Sequence, residues 1–145
     1  MADAVGFDLD AARRTLAENF APWVIDLDIR IDSLDPEGAA VLSIPAGAKI
    51  ARVGGIVCGQ ATMALADTAM VFAISAASGG FRPMTTVGQT TTFLRAMGGP
   101  RVVASARVLK LGKTLAFGEV ALSGRAGDSP CATVSSTYAI LGPVP

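Results

Sequence analysis

GQATMALADTAM, residues 59–70, decides how this chain is read. Alanine, methionine and leucine are strong helix formers, and from Gln60 to Ser78 the run holds no glycine and no proline. A helix that is apolar nearly all round is buried on most sides. Gly79 and Gly80 stand where a helix C-terminus wants residues free to turn left-handed. One acid, Asp67, interrupts the run, and an unpaired carboxylate buried there would cost several kcal/mol.

The flanks of this helix read mostly as strands. Residues 8–20 form a short amphipathic helix, capped by Asp8 or Asp10, with Ala11, Leu16 and Phe20 as its apolar stripe. WVIDLDIRID (23–32) alternates with a period of two and predicts a half-buried strand; SLDPEG (33–38) is a turn and AAVLSIP (39–45) a second strand. Residues 46–57 form a glycine-bearing loop ahead of the long helix. Four further strand-like segments follow, at 84–96, 100–111, 114–124 and 129–141, separated by glycine turns.

The order is helix, two strands, one long buried helix, four strands. That is an α+β layout, with a six-stranded antiparallel sheet and its helical material on one face. A flat sheet cannot cover a helix that is apolar all round, so the sheet must curl about it, an arrangement called a hotdog. We expect one domain over 1–145: an N-terminal helical segment (1–22) and a hotdog core (23–142). Residues 56–80 are also long enough to span a bilayer. Asp67 at the centre would cost about 2.5–3.5 kcal/mol there, and the surrounding strands favour a soluble core helix.

Composition narrows the chemistry. Of 145 residues, 51% are hydrophobic and 17% charged, and twelve basic residues balance 12 acidic ones. No net field draws this chain to nucleic acid or to an anionic membrane. The apolar surplus predicts a homo-oligomer, a dimer or a dimer of dimers. The N-terminus lacks the pattern of a secretory signal, and Cys58 and Cys131 read as reduced thiols of a cytoplasmic protein. There is no histidine. That removes Ser-His-Asp and Cys-His catalysis, and two isolated cysteines cannot cage zinc, so no metal is expected.

Asp67 admits two readings. It faces a polar stripe with Gln60, Thr68 or Ser75, or pairs with an arginine, and is structural; or a cleft reaches the helix there and the acid is a base. Gly59, at the helix start, offers an unpartnered N–H to a substrate carbonyl oxygen, as an oxyanion hole does. Asp67 lies two turns further on, roughly 12 Å along the axis. One substrate atom cannot touch both groups of one helix. A twofold dimer brings the helix start of one subunit to the carboxylate of the other, so the spacing predicts a site shared between subunits.

The run from Cys58 to Ala69 resembles the signature of the phenylacetate-degradation-type (PaaI-like) hotdog thioesterases: roughly His-Gly-Gly, five mostly apolar residues ending in leucine, one small residue, then Asp-Thr-Ala. TTVGQTTTFLRAMGG resembles that family's strand ending in Phe-Leu-Arg-Pro, and VLKLGKTLAFGEVAL resembles its following hairpin. The resemblance covers about residues 40–142. It implies an acyl-CoA thioesterase without a cofactor, acting on acyl-CoA as its substrate. Asp67 would be general base or nucleophile, Gly59 the oxyanion donor and Gln60 a water-positioning amide. Arg52, Cys58 and Thr68 would line the substrate site; Arg95, Arg101, Lys110 and Lys113 are candidates for the CoA phosphates. The sequence departs from the family twice in its first motif, with Cys58 for histidine and Gln60 for glycine; Arg52 stands where an asparagine is common. Those departures keep open a catalytically silent hotdog that binds an acyl or aromatic ligand.

Overall fold

The computed structural model describes residues 6–142. Helix α1 (Leu9–Asn19) opens on the Asp8 side chain, which accepts a hydrogen bond from the Ala11 N–H at 2.8 Å. Its inner face is set by Ala12 and Thr15, with Leu16 and Phe20 beside them, rather than by Ala11. The Phe20 ring stacks on Phe72 at 5.6 Å, and Phe7 stacks on the same ring at 6.2 Å. These contacts fix α1 against the long helix.

The expected strand over residues 23–32 is mostly not a strand. Pro22 starts a one-turn helix, α2 (Pro22–Ile25), as its fixed φ favours the first helical position. Asp28 then takes a left-handed conformation at φ 61°, which ends the pleat before it can begin. Trp23 is accordingly 61% exposed. Strand β1 (Arg30–Asp35) starts late and runs into the segment expected as a turn. The turn proper is closed by the Gly38 N–H donating to the Asp35 carbonyl at 2.9 Å.

Strands β2 (Ala39–Pro45), β3 (Met84–Phe93), β4 (Arg101–Leu111), β5 (Leu115–Ser123) and β6 (Ala132–Ile140) complete the sheet, β3 stopping three residues short of the expected end. The spatial order is β1-β2-β4-β5-β6-β3, with every neighbouring pair antiparallel. Two edges result. β1 is short, bulged between Ile31 and Ser33, and carries Arg30, Asp32 and Asp35. β3 is ten residues long and has no charge and no proline.

Helix α3 (Gly59–Ser78) is the rod inside this sheet. Gly79 ends it in the left-handed region at φ 76°, while the Gly80 N–H donates to the Ser75 carbonyl at 3.0 Å. Twelve of its 20 residues are buried, so this apolar helix is the core of the fold. Leu65, Phe72 and Ile74 meet Leu42 and Ile44 of β2, Val102 of β4 and Leu122 of β5 in one cluster. Each fully buried aliphatic or aromatic side chain of this kind contributes about 1.5–3 kcal/mol. The helix lies chiefly over β2 and β4 and much less over β3 and β6. One stripe, Gln60, Met63, Ala64, Asp67 and Val71, is therefore left incompletely covered on the side of the β3 edge.

Candidate active site

Asp67 stands on that open stripe, and the sheet reaches it from two strands. Thr86 of β3 donates its hydroxyl to Asp67 Oδ1 at 2.8 Å. Tyr138 of β6 donates to the same oxygen at 2.7 Å and lies 3.2 Å from the Asp67 carbonyl. The register explains the meeting, since Thr86 and Tyr138 are cross-strand partners. Tyr138 is fully buried. Burial first, then the charge of Asp67 and the hydrogen bond to it, push its phenol far above the ordinary range. Among the described residues no arginine or lysine forms an ion pair with Asp67. The structural alternative of a permanent cationic partner is thus not what the fold provides.

A cleft of about 460 Å³ opens over the acid. Phe20, Trp23, Val24 and Met63 form an apolar wall; Gln60 and Gln89 stand on the polar side with Asp67. Gln89 is tied down by its amide, which donates to the Met63 carbonyl at 3.1 Å. At the corner carrying Trp23, Lys49 and Asp26 form an exposed ion pair at 2.9 Å. Thr68 borders the cleft, but its buried hydroxyl donates back to the Ala64 carbonyl at 2.8 Å.

Gly59 lies in a different cleft, of about 360 Å³, with Arg52, Ile56, Thr62, Phe93 and Arg95 among its walls. Its N–H has no backbone acceptor among the described residues. A Cβ at this position would sit 3.1 Å from the end of the Phe93 ring, so any larger residue would push that ring back from the helix start. Cys58 precedes it as a half-buried N-cap whose thiol makes no capping bond, and Thr62 Oγ1 donates to the Cys58 carbonyl at 3.2 Å. Within one protomer, then, Asp67 with Gln60, and Gly59 with Arg52 and Arg95, occupy separate clefts.

The remaining basic residues are not brought to either cleft. Lys110 and Lys113 are exposed at the β4–β5 hairpin, at the Thr86 end of the sheet rather than the Gly59 end. Arg101 is half-buried and donates to Ser43 Oγ at 3.0 Å. Among the described residues no three cysteine, aspartate or glutamate side chains cluster so as to hold a metal ion. Sequence reading did not identify Tyr138, Thr86 or Gln89. The one available signal was the alternation of β6, which turns Val134, Ser136 and Tyr138 inward together.

A curled six-stranded antiparallel sheet around one long helix, with an acid on the helix's open stripe, defines a hotdog protein of the thioesterase type. The sequence pattern of the thioesterase superfamily matches residues 54–131, more than half of the chain, and the chain belongs to that superfamily. A protein provisionally described as a thioesterase, from Silicibacter sp. TM1040, is 31% identical, with 93% of this chain and 92% of that one aligned at a TM-score of 0.81. The PaaI protein of the E. coli phenylacetic acid degradation operon shares the fold at 21% identity, 97% and 98% coverage and a TM-score of 0.80. A thioesterase family protein from Silicibacter pomeroyi aligns at 24% identity, 92% and 98% coverage and 0.79. No curated protein matches the sequence. The resemblance to PaaI-like hotdog thioesterases holds for the fold, and membership of the thioesterase superfamily agrees with it.

Proposed function

We propose that this chain hydrolyses acyl-CoA thioesters at a site built by two copies of itself, with Asp67 as base or nucleophile. The observation that carries the reading is Asp67 itself: an acid without a cation, held by two hydroxyls, on the uncovered stripe of α3 beside an unpaired strand edge. Long edge strands are normally blunted by charge, proline or bulges along their length. β1 is so blunted; β3 keeps only a bulge near Thr86, and Val87, Phe93 and Leu94 are exposed on and just beyond it. Antiparallel pairing of two β3 edges about an axis near Gln89 covers both edges. It also sets the Phe93 end of one protomer, with Gly59, beside Thr86 and Asp67 of the other.

The chemistry follows from that arrangement. The thioester carbonyl oxygen is held by the Gly59 N–H, which polarises the bond. Asp67 takes a proton from the attacking water, or attacks the carbonyl carbon and is then released by water; either path yields the acid and free CoA thiol. Gln60 lines the same cleft, and its side-chain amide would hold that water. The same twofold moves Lys110 and Lys113 of one protomer toward the end where Arg52 and Arg95 of the other stand. This gathers cations for the CoA phosphates. Pairs of such dimers would give a homotetramer. The free Cys58 and Cys131 thiols support a cytoplasmic location.

The test is a panel of short, long and aryl CoA esters assayed by free-thiol release. Turnover of at least one ester supports the reading. Binding without hydrolysis across the panel would make this a ligand-binding hotdog, as its Cys58-Gly59-Gln60 motif also allows.

A further inference from the structure

Tyr138 is the chain's single tyrosine, it is fully buried, and a mechanism that uses only Asp67, Gly59 and Gln60 leaves it without a task. Core packing alone does not call for it. Phenylalanine would fill the same volume without a hydroxyl to satisfy, and a buried hydroxyl is costly unless bonded. The partner that satisfies it is the candidate reactive carboxylate. At 2.7 Å this bond is of the short, charge-assisted kind, and the Asp67 carbonyl lies 3.2 Å from the same hydroxyl. Thr86 donates to the same carboxylate oxygen, Oδ1, at 2.8 Å. Asp67 Oδ2 has no hydrogen-bond partner among the described residues, and the residue lines the open cleft.

Resting on the thioesterase reading above, we propose that Tyr138 is a positioning residue. Its buried hydroxyl, together with Thr86, pins Oδ1 and so presents Oδ2 as the one oxygen available to water or thioester. A carboxylate on a helix has two rotatable side-chain torsions, and swapping its oxygens would cost nothing on an exposed surface. Here rotation of the carboxylate must break both hydrogen bonds until the equivalent oxygen takes the first one's place, so one oxygen is always held and the other always faces the cleft. The task of Tyr138 is therefore orientation: it touches neither substrate nor water and acts only through Asp67. Small misplacements of a reacting group lower rates on the order of 100-fold while leaving substrate binding alone.

The test is Tyr138→Phe, which keeps the ring and deletes the hydroxyl. On an ester the wild type turns over, kcat falls by tens of fold with KM unchanged and with the dimer and the far-ultraviolet spectrum retained. A merely structural role would lower thermal stability and leave the turnover of the folded fraction intact, and that result overturns the proposal. A second measurement depends neither on activity nor on the folding of Tyr138→Phe. Because there is one tyrosine, growth on meta-fluorotyrosine labels position 138 alone. Its single fluorine NMR resonance should move in Asp67→Asn and stay in place in Gln60→Ala; an unmoved resonance in Asp67→Asn overturns the contact. If the wild type cleaves no ester while the fluorine shift is present, the thioesterase reading fails and the catalytic task of Tyr138 fails with it. If esters are cleaved at the same kcat in Tyr138→Phe, only the positioning role fails.

Discussion

Raising the pH above 10 should destabilise this protein in a way that one substitution removes. Tyr138 is fully buried against Asp67, and burial, that charge and that hydrogen bond raise its phenol far above the ordinary value of 10.0. The unfolded chain's tyrosine ionises at its ordinary value; the folded one stays neutral. Its contribution is thus intact below pH 10 and is lost as the pH climbs from there toward the folded value, because only the unfolded state releases the proton. The slope for one such group is about 1.4 kcal/mol per pH unit. A domain of 145 residues unfolds with an entropy of about 0.3 kcal/mol/K, so the loss is roughly 4–5 °C in Tm per pH unit. The assay is thermal unfolding of wild type and Tyr138→Phe, at one protein concentration, in steps from pH 9 to pH 11. Subtracting the variant cancels every group that the two proteins share. The difference should begin to change as the pH nears 10 and should approach that slope by pH 11. Since burial is the largest cause, Asp67→Asn should keep most of the slope. A difference that stays flat through pH 11 would mean that Tyr138 meets water, and the geometry around Asp67 would be wrong.

Other outcomes follow from the same structure. Val87→Lys puts a charge on the bare β3 edge; if two β3 edges pair as proposed, size-exclusion chromatography with light scattering should show a dimer for the wild type and a monomer for the variant, and hydrolysis should fall with it. Phe72→Ala removes a fully buried ring on which Phe7 and Phe20 both stack, and chemical denaturation should show a loss of about 3–5 kcal/mol. Replacing Lys110 and Lys113 by alanine should raise KM for CoA esters several-fold and flatten its salt dependence while leaving kcat alone; unchanged KM would remove them from the phosphate site.

The long helix was legible because its periodicity is local: composition, the absence of breakers and the Gly79-Gly80 stop all lie within one stretch. Strands β4, β5 and β6 were legible for a similar reason, as alternation and glycine turns agree there. Residues 23–29 misled because the alternation of Ile25, Leu27 and Ile29 fits a strand, whereas Pro22 and a left-handed Asp28 decide the backbone. No period reports a single residue's φ. At the site, Asp67 stood out as the one acid in an apolar run. Tyr138 and Thr86 did not, because they are 71 and 19 residues from Asp67 and meet it only through the β3–β6 register. The separation of the Asp67 and Gly59 clefts was anticipated by their spacing along α3, since helix geometry is rigid enough to be read from numbering.

The most direct measurement is thiol release from the CoA-ester panel by wild type and Asp67→Asn, with ligand binding followed in parallel through the single tryptophan, Trp23, at the cleft wall. The wild type should turn over at least one ester, and the variant should bind it comparably but lose nearly all hydrolysis. Equal turnover by the two proteins would show that the Asp67 carboxylate is structural and takes no part in hydrolysis.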